Sequence, residues 1–109
     1  MTLNDYQNAA TKTALYPESG NNLLYPILGL CGESGELAEK MKKMIRDDQG
    51  VLTEERRQLM VKELGDVLWY VSQVARELGI SLEEVGQMNV DKLASRMDRD
   101  VLHGNGDLR

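Results

Sequence analysis

Ile45-Arg46-Asp47-Asp48-Gln49-Gly50-Val51-Leu52-Thr53 decides how this chain folds. Asp47 to Gly50 is a polar, turn-prone run, and it separates two long stretches whose apolar residues recur at helical spacing. The expected result is an antiparallel helix hairpin with its tip at Gln49-Gly50. Working outward from that tip, two acidic pairs stand at mirror-related distances, Glu33 with Glu36 on one arm and Glu63 with Asp66 on the other. The midpoint of 33 and 66 and the midpoint of 36 and 63 both fall between Gln49 and Gly50. Residues three apart are neighbours on a helix surface, about 4.5 Å apart along the axis. With helix axes roughly 8–10 Å apart, Glu33 is expected level with Asp66 and Glu36 level with Glu63. Carboxylates held that close must take up protons or bind a cation, and hard oxygen ligands in that number favour Mg2+, with Mn2+ as the alternative.

The rest of the chain fits a small helical bundle. At 109 residues and 12.3 kDa it reads as one domain spanning 1–109. A first helix is expected from about Leu3 to Tyr16, with Thr2 as N-cap and Pro17 as its stop. The hairpin arms are expected over about Leu23 to Arg46 and Thr53 to Leu78, with Pro26 near the first turn of one and Gly79 ending the other. A fourth helix opens on the capping-box pattern Ser81-x-x-Glu84 and ends near Met97 or Asp98. A glycine-containing tail from His103 follows. No stretch has the alternation of a strand, so the fold class is all-α, a long antiparallel hairpin flanked by two shorter helices. Apolar surface left over by four helices would pair with a second copy, giving a homodimer or a larger even assembly.

Composition excludes several functions. The net charge is −5 with acids and bases interspersed, which leaves no basic stripe for a duplex nucleic acid. Apolar runs are far shorter than the ~20 residues that span a bilayer. Cys31 is the single cysteine, and the N-terminal residues have neither a basic leader nor an apolar signal core, which points to the cytoplasm.

Helical-wheel arithmetic at ~100° per residue asks whether the four acids merely decorate the solvent face. With Leu30 at zero, Glu33 falls near −60° and Glu36 near −120°, bordering an apolar stripe of Leu30, Leu37, Met41 and Met44. With Leu64 at zero, Glu63 lies near −100° and Asp66 near −160°, along one edge of the stripe Met60, Leu64, Val67, Leu68, Val71, Val74, Ala75 and Leu78. Tyr70 falls between these two acids, and Trp69 is placed on the opposite side, as packing. An ordinary role is open to the same residues, since Glu36 with Lys40 and Glu39 with Lys43 have the spacing of surface ion pairs. The doubled, mirror-related arrangement weighs toward a metal site. Gly29, Gly32 and Gly35 recur every three residues, each costing about 1 kcal/mol relative to alanine. Close helix approach and room for a ligand beside Glu33 are both open as compensation.

Gly32-Glu33-Ser34-Gly35-Glu36-Leu37, followed after 25 intervening residues by Glu63-Leu64-Gly65-Asp66-Val67-Leu68, resembles the E-x-x-E and E-x-x-D motifs of the MazG-like all-α nucleoside triphosphate pyrophosphohydrolases. Leu28-Gly29-Leu30, Trp69-Tyr70 and Met88-Asn89-Val90-Asp91-Lys92-Leu93 look like family sequence as well. One departure is Gly32, where many members carry a further glutamate. The resemblance implies a magnesium-dependent enzyme that cleaves a nucleoside triphosphate, deoxy or noncanonical, between the α- and β-phosphates to the monophosphate and pyrophosphate. It implies metal ligation and catalysis by Glu33, Glu36, Glu63 and Asp66, and substrate contacts from Asn89 and Lys92; the wheel positions add Lys40 and Lys43 as phosphate contacts and Tyr70 as a border of the nucleotide. Two alternatives stay open from sequence: a phosphoribosyl-ATP pyrophosphohydrolase-like enzyme and a non-enzymatic metal-binding helical module.

Overall fold

The computed structural model describes residues 1–100 together with Gly104 and Gly106; the tail from His103 otherwise lies outside the described residues. Four helices follow in order, α1 (Leu3–Thr11), α2 (Leu24–Asp47), α3 (Glu54–Glu77) and α4 (Leu82–Asp98), with no strand among the described residues. The protein is all-α, a helical bundle built on the α2–α3 hairpin.

Local sequence accounts for each end. The hydroxyl of Thr2 accepts from the Asp5 N–H while the Asp5 carboxylate accepts from the Thr2 N–H, a reciprocal cap on α1. Thr53 and Ser81 accept from the N–H groups of Arg56 and Glu84 and cap α3 and α4, without the reciprocal bond seen on α1. The hairpin turn uses left-handed backbone at Gln49 (φ 56°) and Gly50 (φ 75°), and the Gly50 N–H returns to the Met44 carbonyl at 3.2 Å. Arg56 then ties the turn down with an ion pair to Asp48 at 3.1 Å.

The first helix is shorter than its sequence suggests, ending at Thr11 rather than Tyr16. Tyr16 precedes Pro17, a position that disfavours helical backbone. The chain leaves α1 early and buries Tyr16, whose ring stacks on Tyr25 at 4.9 Å and whose hydroxyl bonds the Glu77 carboxylate. That carboxylate is buried at the end of α3 and also accepts from the N–H groups of Gly20 (2.8 Å) and Asn22 (3.2 Å), so it clasps the whole α1–α2 connection. Its pKa lies below the ordinary carboxylate range. Burial pushes it up, but the Tyr16 hydroxyl, the two N–H donors and Arg76 together outweigh that.

Polar residues, more than the apolar stripe, join α1 to the rest. Gln7 is buried, with its amide donating to the carbonyls of Ser72 (3.1 Å) and Ile80 (3.2 Å) and accepting from the Leu82 N–H (3.0 Å). One side chain thus pins α1 to α3 and to the start of α4. Ser72 and Gln73 are fully buried beside it, with Gln73 donating to Thr11. The stripe expected to form the core of α3 is corrected by the structure. Ala75 alone among its members is buried, and Leu64 (56%), Leu68 (39%) and Leu78 (62%) are exposed. The physical reason is that α1 docks on the Trp69–Gln73 side and α2 packs on α3 alone among the helices, so among the described residues the Leu64 and Leu68 part of that stripe is left uncovered. A shallow apolar cavity of about 400 Å³ runs along it between Val61 and Val71.

Candidate active site

Antiparallel packing of α2 on α3 brings Glu33, Glu63 and Asp66 together, with one carboxylate oxygen from each all within 4.8 Å of one another. Glu33 and Glu63 are half-buried and Asp66 is exposed, so one side of the group is open to solvent. Burial raises the Glu33 pKa, and Asp66, a hydrogen bond with Glu63, and the charges of Glu63 and Glu36 raise it further. Glu36, the fourth sequence candidate, is exposed and lies outside this group, one turn nearer the hairpin tip, where its charge still acts on Glu33. The grouping therefore differs from the paired arrangement expected, with Glu33 meeting both acids of α3.

Lys40 does not pair with Glu36. Its ammonium reaches across the hairpin to Glu63, with Nζ 3.7 Å from Oε1, so one face of Glu63 meets a cation and another meets Glu33. Lys43 is half-buried on the same helix and lowers the pKa of Glu39 after the larger effect of Lys42. The glycine question divides by position. A Cβ on Gly29 would lie 2.1 Å from the Tyr70 ring, so that glycine serves close approach, whereas a Cβ on Gly32 or Gly35 meets nothing within 4 Å.

Tyr70 stands where the wheel put it. It lines a cavity of about 300 Å³ with Thr13, Glu33, Asp66 and Trp69. Its hydroxyl pKa is raised by burial and then by Tyr25, Glu33 and Asp66. Trp69 is a correction: it lies beside the acids rather than on the opposite side of α3. Its indole N–H donates to the Thr13 hydroxyl at 2.9 Å, and its ring meets Tyr70 edge-on at 5.0 Å. Trp69 follows Asp66 by three residues, and that spacing was a signal available in the sequence. Thr13 and Tyr6, whose pKa is raised by burial and by Asp66, reach the site only because α1 docks there, and nothing in the sequence marks them. Asn89 and Lys92 do not join the carboxylates in this chain. They line a separate, largely apolar cavity of about 480 Å³ with Leu78, Ile80, Val85 and Met88.

A three-carboxylate group of hard oxygen donors, open on one side and strained by its own charge, suits a divalent cation with free coordination positions for a substrate. An all-α hairpin carrying such a group between its arms is compatible with phosphate chemistry assisted by a divalent ion. Residues 22–100 match the family model described as MazG nucleotide pyrophosphohydrolase domain, and the chain belongs to that family. It is an enzyme of the nucleotide pyrophosphohydrolase kind. The chain is also similar along its full length to the Gene 37 protein of Mycobacterium phage L5, 48% identical over 114 residues and covering all of both chains. No solved structure gives a significant match. Among the described residues no helix is long and apolar enough to cross a membrane.

Proposed function

We propose that the chain is a magnesium-dependent hydrolase that converts a nucleoside triphosphate, deoxy or noncanonical, to the monophosphate and pyrophosphate by cleavage between the α- and β-phosphates. The observation that carries the reading is the convergence of Glu33, Glu63 and Asp66 within 4.8 Å from two facing helices. These three would hold the ion, with Glu36 as a fourth candidate ligand; manganese suits the same donors. When bound, the ion supplies positive charge to the phosphate oxygens and a more acidic water.

The chain's own groups do the rest in this reading. One of the clustered carboxylates takes the proton of the attacking water. Lys40, already held at 3.7 Å from Glu63, is placed to meet a phosphate oxygen at the rim, and Lys43 lies one turn further on. Tyr70 closes the cavity beside Glu33 and Asp66. Asn89 and Lys92 contact substrate only if a second copy brings them to this site. A homodimer or larger even assembly is supported by the uncovered apolar stripe of α3 and by exposed Leu28 (61%) and Ile45 (60%) on α2. Location in the cytoplasm accords with a nucleotide substrate and a lone exposed thiol, Cys31.

The test is to incubate the full chain with magnesium and each common and modified nucleoside triphosphate, and to measure pyrophosphate against orthophosphate. Pyrophosphate with monophosphate is the expected product pair. Orthophosphate as the primary product overturns the site of cleavage, and no release from any triphosphate overturns the reading.

A further inference from the structure

We propose that Lys40 links ion binding to triphosphate binding: on Glu63 it holds down the affinity for a free divalent ion, and a triphosphate raises that affinity by drawing the ammonium away. The inference rests on the triphosphate reading above and adds to it how the site loads, with ion and triphosphate arriving together.

Position comes first. Lys40 follows Glu33 and Glu36 on α2, and helical side chains lean toward the N-terminus of their helix, so its stem runs back toward the carboxylates. Glu36, four residues before it, has the spacing to take the ammonium. The ammonium instead crosses to α3, with Nζ 3.7 Å from Oε1 of Glu63, its one ion-pair partner among the described residues. The side chains of Lys40 and Glu63 are only 21% and 17% exposed, against 64% for Lys42, so solvent screens the Lys40 charge far less. Glu63 is also one of the three carboxylates assigned to the ion. Lys40 and the ion therefore draw on the same group, and two cations on one carboxylate repel each other.

The hold on Lys40 is loose. At 3.7 Å the pair lies beyond hydrogen-bond distance, so attraction between charges keeps the ammonium on Glu63 without a directed bond. A lysine head is a point charge on a flexible stem, and it can turn while α2 stays in place. A triphosphate carries several negative charges on accessible oxygens, and charge-assisted bonds to those oxygens are stronger than the contact Lys40 gives up. Once on phosphate, Lys40 no longer opposes the ion at Glu63, and the ion in turn no longer competes for a carboxylate that Lys40 needs. Two ligands that each remove the other's obstacle bind cooperatively, by the same factor in either order.

The experiment measures two affinities of the full chain: for Mn2+ alone, from the electron paramagnetic resonance of the free ion, and for inorganic triphosphate at saturating magnesium, by calorimetry. Lys40→Met, which keeps the stem and removes the charge, is expected to bind Mn2+ about three- to tenfold more tightly than wild type. The same variant is expected to bind magnesium triphosphate about tenfold or more weakly. Lys40→Arg, which keeps the charge, and Lys42→Met, which removes a charge from an exposed position, should each leave Mn2+ affinity within about twofold of wild type. The opposite signs are the signature. Weaker binding of both ligands by Lys40→Met, the mark of a strut that merely holds the hairpin, overturns the proposal. Equal tightening by Lys42→Met also overturns it, since net charge would then account for the effect, and so does a wild type that binds no inorganic triphosphate. Pyrophosphate release from the natural triphosphates is measured alongside. Release by wild type with Mn2+ affinity unmoved in Lys40→Met overturns the link alone; opposite shifts without release support the link and overturn the hydrolase; no Mn2+ binding by wild type overturns both.

Discussion

Replacing Glu33 by glutamine is expected to make the metal-free protein more stable while removing its activity. One oxygen from each of Glu33, Glu63 and Asp66 lies within 4.8 Å of the others. At that distance two charges repel by about 0.9 kcal/mol in bulk water and about 3.5 kcal/mol at an effective dielectric of 20. Asp66 is exposed and the other two are half-buried, so the lower part of that range applies, about 1 kcal/mol for each pair involving Glu33. Part of that repulsion is already relieved in the wild type by the raised proton affinity of Glu33, leaving a net gain of about 1 kcal/mol. For a domain near this size that corresponds to a melting temperature raised by about 4–8 °C. Without magnesium, thermal unfolding followed by far-UV circular dichroism should show this rise. Magnesium should then stabilise the wild type by mass action and leave Glu33→Gln nearly unchanged. Pyrophosphate release by the variant should fall by about 10²-fold or more. A variant that melts lower than wild type in EDTA, or that gains as much from magnesium, refutes the idea that like charge is stored here for a cation.

Three further outcomes test the fold around the site. Gly29→Ala should destabilise by about 1–3 kcal/mol in urea unfolding, because its Cβ would overlap the Tyr70 ring at 2.1 Å, whereas Gly32→Ala, with open space, should be neutral or stabilising by up to about 1 kcal/mol; equal effects would contradict the assignment of Gly29 to packing. Glu77→Gln should cost about 2 kcal/mol at neutral pH through the lost charge-assisted bonds to Tyr16, Gly20 and Asn22. Because the folded pKa of Glu77 is lowered, its contribution is complete above the unfolded carboxylate range and disappears as pH falls through the lowered value, so the two melting curves should converge in acid; a gap independent of pH would argue against a carboxylate clasp. Leu64→Glu, placed on the uncovered stripe, should reduce the mass seen by light scattering to the 12.3 kDa of one chain, and an unchanged mass would remove that face from the proposed assembly.

The hairpin was legible because it depends on local rules. A polar turn with Gly50 and the caps Thr2, Thr53 and Ser81 each act within a turn or two of chain, and the structure places them as expected. The readings that went astray depend on which element covers which face. Apolar periodicity marks a stripe, but whether it is core depends on where neighbours dock, and here Leu64 and Leu68 are left open while Gln7, Ser72 and Gln73 are buried. Trp69 is a different case: its three-residue spacing from Asp66 was local information, and only its contact with Thr13 depends on the tertiary structure.

The amino-acid sequence by itself determined four helices, their turn, and a mirror-related set of carboxylates on the two arms, because helix geometry converts spacing into position. Tertiary structure alone decided that Glu33, Glu63 and Asp66 meet while Glu36 stands aside and Lys40 crosses to Glu63. It also decided that an aromatic cavity opens beside the three carboxylates. Those outcomes turn on the register between α2 and α3 and on the docking of α1, which are set by long-range contacts such as Tyr70 against Gly29 and Gln7 against Ser72 and Leu82.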